Sequence, residues 1–523
     1  MDILLLVSLL LPAVAGIWLL LSSFSEHLRA VKQEPRTQKS QKYQKQKPQN
    51  QKLWNLDWLH PVVAVVLTVS VALVLTVAWT GERSMTLFTL VDRLPVYFKV
   101  DEISRWFVTI VSVIWLAAGF YSFVYLKHEG EEKRYFGFYL LLYGVLVGLD
   151  FSGNLVTMYL FYELMTLVSM PLVLHNGSRE AIMAALKYLF YSMCGAYGGL
   201  FGIYVLYRYC DSLTFIAGGS LNMTIVSGHE GFVLVGVFVM ILGFGVKAGM
   251  LPLHAWLPSA HPVAPSPASA VLSGVIVKSG VLALIRGVFY VVGTDFIRGT
   301  WVQYTWMILA LLTVFMGSML AFREQGFKKR LAYSTVSQVS YILFGLSLLT
   351  PMAYAGALLH TAIHAVVKCG LFLVAGVFLY CFEYTGVEQL KGLGKRMPAV
   401  MWCYTLFSLA LIGIPPTGGF ISKWYLAEGA LNSDTGVISW LGPIVLLLSA
   451  LLTAGYLLPI VMKGFFPGEE ADEKNSGKVR ISGFMLIPLI VLATLAVLLG
   501  VFPQVLTKYA VEAAGVFGWE VGL

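Results

Sequence analysis

The chain has 523 residues, 58% of them hydrophobic and only 12% charged, and its mean hydropathy is +0.77. Soluble globular proteins carry about 25% charged residues, so this composition excludes a soluble domain and points to a polytopic membrane protein. The apolar runs are continuous rather than alternating, which argues against a β-barrel and for an all-α architecture. The net charge of +8 does not indicate a nucleic-acid partner, because much of the excess lies in one stretch, RAVKQEPRTQKSQKYQKQKPQNQK.

Crossing roughly 30 Å of hydrocarbon takes about 20 apolar residues. About 14 such runs occur, starting near Ile3, Trp58, Ile103, Phe136, Leu155, Ala181, Phe232, Pro265, Trp301, Leu331, Met352, Val400, Ile438 and Ile481. The first, within residues 1–24, follows Asp2 and precedes the basic residues, so it reads as a retained helix rather than a signal peptide. Residues 25–53 form a basic low-complexity arm rich in Gln, Lys and Pro, expected to be a solvated linker or to bind anionic lipid headgroups or a partner. Residues 54–135 hold spans 2 and 3, residues 136–293 spans 4–8, and residues 294–464 spans 9–13. Residues 465–523 supply a loop, span 14 and a short C-terminus. With the N-terminus outside, the odd-numbered connections carry roughly 23 basic residues and the other side about 7. This predicts a multi-pass protein of the cell membrane with both termini outside and the arm cytoplasmic.

Few charges remain within the spans. Glu163 lies in the fifth, Lys187 in the sixth, Lys247 in the seventh, Lys278 and Arg286 in the eighth, Lys368 in the eleventh and Lys423 in the twelfth. Two of them stand beside helix breaks. The stretch GFGVKAGMLPLHAWLPSAHPVAPSP sets Gly249 and Pro252 just after Lys247. The stretch LIGIPPTGGFISKWYLAEG sets Pro415, Pro416, Gly418 and Gly419 just before Lys423. A mid-membrane lysine costs at least about 2.5 kcal/mol on insertion scales. Unwound backbone admits water and polar groups that lower the cost. Two interrupted segments at matching places in the two halves point to a transporter built from repeats, with sites near the midplane.

Proton movement needs groups that gain and lose a proton within the membrane. Burial favours a lysine's neutral amine, and a nearby carboxylate favours its ammonium. Glu163 with Lys247 or Lys187 is therefore a candidate two-state pair. His360, His364 and Lys368 recur at i, i+4 and i+8, close to one helical face. A metal site on the two histidines is the competing reading, but no third ligand is evident and Lys368 would repel a cation. His254, after the first break, is placed on the channel, and His261 in packing. The five cysteines form no CxxC. Without a Walker A motif, a dinucleotide fingerprint or a cysteine cluster, no cofactor and no metal are expected. The driving energy then comes from an ion gradient or another subunit.

Four ordered stretches resemble the antiporter-like subunits of respiratory complex I and its relatives. They are VKAGMLPLHAWLPSAHPVAPSPASAVLSGVIVKSGVLALIR, KKRLAYSTVSQVSYILFGL, HTAIHAVVKCGLFLVAG and GIPPTGGFISKWYL. The family includes D-type subunits of Mrp cation/proton antiporters and matching subunits of membrane-bound hydrogenases and sulfur-reducing complexes. The resemblance implies a 14-helix fold with two inverted five-helix repeats, broken at helices 7 and 12. It assigns Glu163 as the helix-5 glutamate and Lys247 as the helix-7 lysine. Lys278 is the helix-8 lysine, His360 or His364 the helix-11 histidine, and Lys423 the helix-12 lysine. Lys187 matches the lysine of the family's helix-6 pattern. The basic arm departs from the family, the long lateral helix of the L-type subunit is missing, and helix 10 has no counterpart of Glu163.

The expected function is proton translocation by an antiporter-like subunit of an energy-converting redox complex, of membrane-bound hydrogenase, sulfur reductase or complex I type. Its partners would be the lipid bilayer and other membrane subunits, including neighbouring antiporter-like or small ones. Two alternatives stand beside this: the D-type component of a stand-alone Mrp Na⁺/H⁺ antiporter, and a structural subunit that does not pump.

Overall fold

The computed structural model describes residues 2–33, 58–90, 94–468 and 477–517. The chain is mostly helical, and a helix starts within about four residues of each expected start. In chain order these are α1 (Ile3–Gln33), α2 (Leu59–Trp79), α3 (Glu102–Glu129), α4 (Glu132–Asp150), α5 (Leu155–Val173), α6 (Arg179–Tyr209) and α7 (Glu230–Ala248). Then come α8 (Ser266–Val292), α9 (Trp301–Arg323), α10 (Phe327–Ser347) and α11 (Pro351–Phe382). Next is α12, in two pieces (Pro398–Ile412 and Gly418–Leu431), followed by α13 (Val437–Phe465), α14 (Gly483–Val501) and the short α15 (Gln504–Gly515). Among the described residues, 11 helices are long and apolar enough to cross a membrane. The exceptions have physical reasons. Helix α4 opens on Glu132, Lys133 and Arg134 and ends on Asp150, α10 carries Lys328, Lys329 and Arg330 in its first turn and many hydroxyls after it, and α12 is interrupted. Helix α1 runs on into the first residues of the expected basic arm, and the rest of that arm, 34–53, lies outside the described residues.

One element corrects the all-α reading. Strands β1 (Arg83–Thr89) and β2 (Pro95–Val100) form an antiparallel hairpin between α2 and α3. Its outer strand edge docks on the α4–α5 connection: Lys99 N donates to Phe151 O at 2.7 Å and Gly153 N to Tyr97 O at 2.8 Å. The Asn154 side chain caps α5 through Thr157 N at 2.7 Å and also donates to Pro95 O at 2.7 Å. These bonds answer the backbone groups that a strand at a bundle end would otherwise leave open.

Burial sorts the helices into layers. Helix α8 is wholly buried and α11 largely so, whereas α1, α13 and α14 each bury about a third of their apolar length. The sequence of α8 suits a central place, since its small and β-branched residues let neighbours come close. A side-chain carbon on Gly280 would sit 2.7 Å from Phe244 O and 2.8 Å from Ala248 N, so α8 packs tightly against the end of α7. The outer helices keep apolar faces turned outward, as a lipid-facing or subunit-facing ring requires.

Arg286, one of the charges left within the spans, is neutralised inside the fold. Its guanidinium donates two bonds of 2.7 Å to Asp101, and a third of 3.1 Å to Ser104 Oγ. Asp101 also caps α3 through Ser104 N at 2.9 Å. The guanidinium lies over the rings of Phe215 and Tyr290. One ion pair thus pins the start of α3 to the end of α8. Asp101→Ala would leave an arginine that is 1% exposed without its carboxylate. Thermal unfolding in lipid nanodiscs should show a loss of about 3 kcal/mol, partly recovered by adding Arg286→Leu.

Candidate functional site: a buried row of lysines and histidines

The first break comes where the sequence puts Gly249. Its φ of +79° is the left-handed conformation that ends α7, and a side-chain carbon there would lie 2.5 Å from Leu257 Cδ1. The freed carbonyls are taken up locally. Met250 N donates to Gly245 O at 2.9 Å and Trp256 Nε1 to Val246 O at 2.9 Å. A short helix, Leu257–Val263, follows.

Lys247 needs none of these carbonyls. Its ammonium is fully buried and donates to three hydroxyls: Thr166 Oγ1 at 2.8 Å, Tyr188 Oη at 3.0 Å and Ser192 Oγ at 3.0 Å. It also lies 4.5 Å from the Tyr188 ring centroid. Hydroxyls accept from an ammonium and donate to an amine, so this cradle fits either protonation state. Glu163 is one turn before Thr166 on α5. It forms no salt bridge with Lys247, and its Oε1 is buried without a hydrogen-bond partner, although it stays within electrostatic range of the lysine. The pair expected from the sequence is therefore open. Lys187 does not join it either: its Nζ donates to Ser259 Oγ at 2.9 Å, in the segment after the break. His254 lies in that segment, half-buried, with Nδ1 unpartnered.

The central residues come together across α8, α11 and α12. Lys278 Nζ is 2.7 Å from His364 Nδ1 and 2.5 Å from Ser273 O, which lies in a π-helical stretch of α8, Leu272–Ile276. Such stretches recur at functional sites. The His364 and His360 rings stack at 5.9 Å, and His360 Nδ1 is 2.9 Å from Ser422 Oγ. Lys423 is the next residue. Its Nζ donates to Leu411 O at 2.7 Å and Ile412 O at 2.9 Å, the last carbonyls before the second break. Here the lysine caps the broken helix, where a cation also complements the helix dipole. The break residues Pro415 and Pro416 lie between the two pieces, and Gly418 and Gly419 open the second. A side-chain carbon on Gly419 would collide with Ala410 O.

Lys368 takes a side branch. It donates to Leu331 O at 2.8 Å and to Ser334 Oγ on α10, one turn beyond His364 but away from His360. His261 stacks on Phe372 at 4.6 Å. Sequence reasoning misses Thr166, Tyr188, Ser192 and Ser422, because hydroxyls are common in membrane helices and carry no spacing signal. It also misses Gln338, buried on α10 with both amide atoms unpartnered, and Asp150 at the end of α4.

Residues 152–453 match the family described as NADH:quinone oxidoreductase/Mrp antiporter, transmembrane. This chain belongs to that family. It is 31% identical over 428 residues to NADH-quinone oxidoreductase subunit N of Desulforudis audaxviator, covering 79% of this chain and 84% of the relative. It is 27% identical over 456 residues to the D-type component of the Na⁺/H⁺ antiporter of Alkalihalophilus pseudofirmus, covering 86% and 90%. Its fold is that of a chain in the membrane-bound sulfane sulfur reductase, an archaeal respiratory membrane complex, with a TM-score of 0.79, 21% identity and 98% of each chain covered.

The capping role of Lys423 makes a prediction that does not depend on transport. Lys423→Met removes both donors from the carbonyls of Leu411 and Ile412. The unfolding midpoint in nanodiscs should fall by the equivalent of about 1–3 kcal/mol, whereas Lys187→Met, which loses one hydroxyl contact, should change it little.

Proposed function

We propose that this protein is the proton-translocating, antiporter-like membrane subunit of an energy-converting redox complex of the hydrogenase, sulfur reductase or complex I kind. It carries no redox cofactor and moves protons along the buried amines and imidazoles. The observation that carries this reading is the chain of contacts Lys278–His364–His360–Ser422, ending beside Lys423 at the second break. Imidazoles and amines both accept and release protons, and their partners here are groups that tolerate either state. A purely structural subunit would gain nothing from burying three lysines and two histidines around one axis.

In this reading the chain crosses the membrane 14 times, and residues 136–293 and 294–464 are two inverted units, each with one broken helix. Both termini lie outside and the basic arm is cytoplasmic, as the basic-residue bias supports. Lys247, Lys278, His360, His364 and Lys423 form the main row. Lys187 and His254 lead to it from the first break, and Lys368 is a branch. The neighbouring membrane subunits of the complex drive Glu163 towards or away from Lys247. The open arrangement leaves the lysine on its hydroxyls, and closure gives it a carboxylate. The likeness to the D-type antiporter component along most of its length supports a second reading, a component of a Na⁺/H⁺ antiporter. Co-purification of a nickel or iron–sulfur subunit would select the redox complex, and small membrane subunits alone would select the antiporter.

The paired switch is tested by ion flux in vesicles containing the reconstituted complex. Glu163→Gln keeps the shape and removes the charge, and flux should fall at least about tenfold. Glu163→Asp should keep part of it. Glu163→Gln combined with Lys247→Met should be no worse than either change alone, since the two act as one unit. Losses that multiply would contradict the switch.

A further inference from the structure

Asp150 is the last residue of α4 and is 3% exposed, and its Oδ2 has no hydrogen-bond partner. An unanswered buried carboxylate oxygen is costly, so its place in the fold asks for a role. A cavity of about 10 Å³ adjoins it, lined by Asp150, Lys278 and Ser279 among apolar residues of α3, α4 and α8. That is room for about one water molecule, with a carboxylate, an amine and a hydroxyl among the residues that line it. The other end of Asp150's surroundings is the Arg286–Asp101 pair. Arg286 lies within its electrostatic range, and the Asp101 carboxylate is 20% exposed beside the hairpin. The titratable groups around Asp150 are therefore Lys278 and Arg286 on α8 and Tyr143 on its own helix, with Asp101 reached only through Arg286.

We propose that Asp150 is a proton-relay residue: it takes a proton from Lys278 through a water in the cavity they share and passes it towards the bundle end that carries the hairpin. This rests on the transport reading above and adds a side branch to the row at its centre. The transfer balances simply. The Lys278 ammonium becomes an amine, the water in between gives up one proton as it takes another, and the Asp150 carboxylate becomes a carboxylic acid. Two opposite charges disappear together, so no net charge is left in a dry site. Release then restores the carboxylate, which the fixed charge of Arg286 favours. The bidentate Arg286–Asp101 pair holds that charge in place whether or not Asp150 carries a proton.

The test is proton flux in vesicles with the whole complex, with Lys247→Met as the control for the transport reading. Asp150→Asn should cut flux at least about tenfold, and Asp150→Glu should retain more. Formic acid in the bath should restore flux to Asp150→Ala, where it can occupy the vacated space as a proton carrier, and should not restore it to Lys247→Met. Full flux in Asp150→Asn with no flux in Lys247→Met overturns the relay alone. Full flux in both overturns the transport reading as well. A loss in Asp150→Ala that formic acid does not relieve also overturns the relay, since the residue is then structural. If the Asp150 variants fail to assemble, Val275→Ile decides, because it adds a methyl group to the cavity wall and leaves the carboxylate in place. Slowed flux supports the relay, and unchanged flux overturns it.

Discussion

A lysine amine buried in a helix bundle must find its hydrogen-bond partners inside that bundle, because most helical carbonyls are already paired and the hydrocarbon outside offers none. The chain meets this constraint in three ways. Lys247 is held by side-chain hydroxyls, Lys278 by a histidine and a carbonyl in a π-helical stretch, and Lys423 by two carbonyls freed at a helix break. The tight approach at Gly280, the two breaks and the central position of α8 and α11 all serve these contacts. Fixed charge is handled differently. Arg286 is locked by a bidentate carboxylate, which suits a permanent pin and not a group that must change state.

The two breaks look alike in sequence, yet they do different things. After α7 the freed carbonyls are taken by Met250, Gly249 and Trp256, so Lys247 is left to the hydroxyl cradle and to Glu163. In α12 the lysine itself answers the carbonyls, and among the described residues no carboxylate forms an ion pair with it. Lys423 therefore has a fixed, polar resting place and Lys247 has a choice of partners. In the proposed function this gives the first half of the chain the switching step and the second half the terminal site.

Much of this is legible from residue types. Lysines, glycines and prolines in apolar runs are conspicuous, so the sequence alone places Lys247, Lys423 and both breaks. The family follows from the same stretches. The pattern of His360 and His364 on one face also carries over, with one refinement: Lys368, a turn further, points to α10 and leaves the row. What escapes depends on contacts between distant segments. The partner of Arg286 is 185 residues away, at Asp101. The hairpin at 83–100 is short and lies among membrane helices, so its alternation does not stand out. Asp150 sits at a helix end, where a carboxylate is ordinarily solvated, and only packing shows that it is buried. The direct Glu163–Lys247 contact is what the chemistry of the two groups suggests, and three hydroxyls stand in its place.

The central claim is that protons pass along the row through its middle. Helix α8 joins the two halves, since its Lys278 touches His364 on α11 while its Gly280 packs against the end of α7. The most direct measurement is proton movement in vesicles by the complex carrying Lys278→Met, with assembly checked in parallel. The account predicts that the complex assembles and that proton movement through this subunit falls to the level of empty vesicles. Full proton movement in the assembled variant would contradict it.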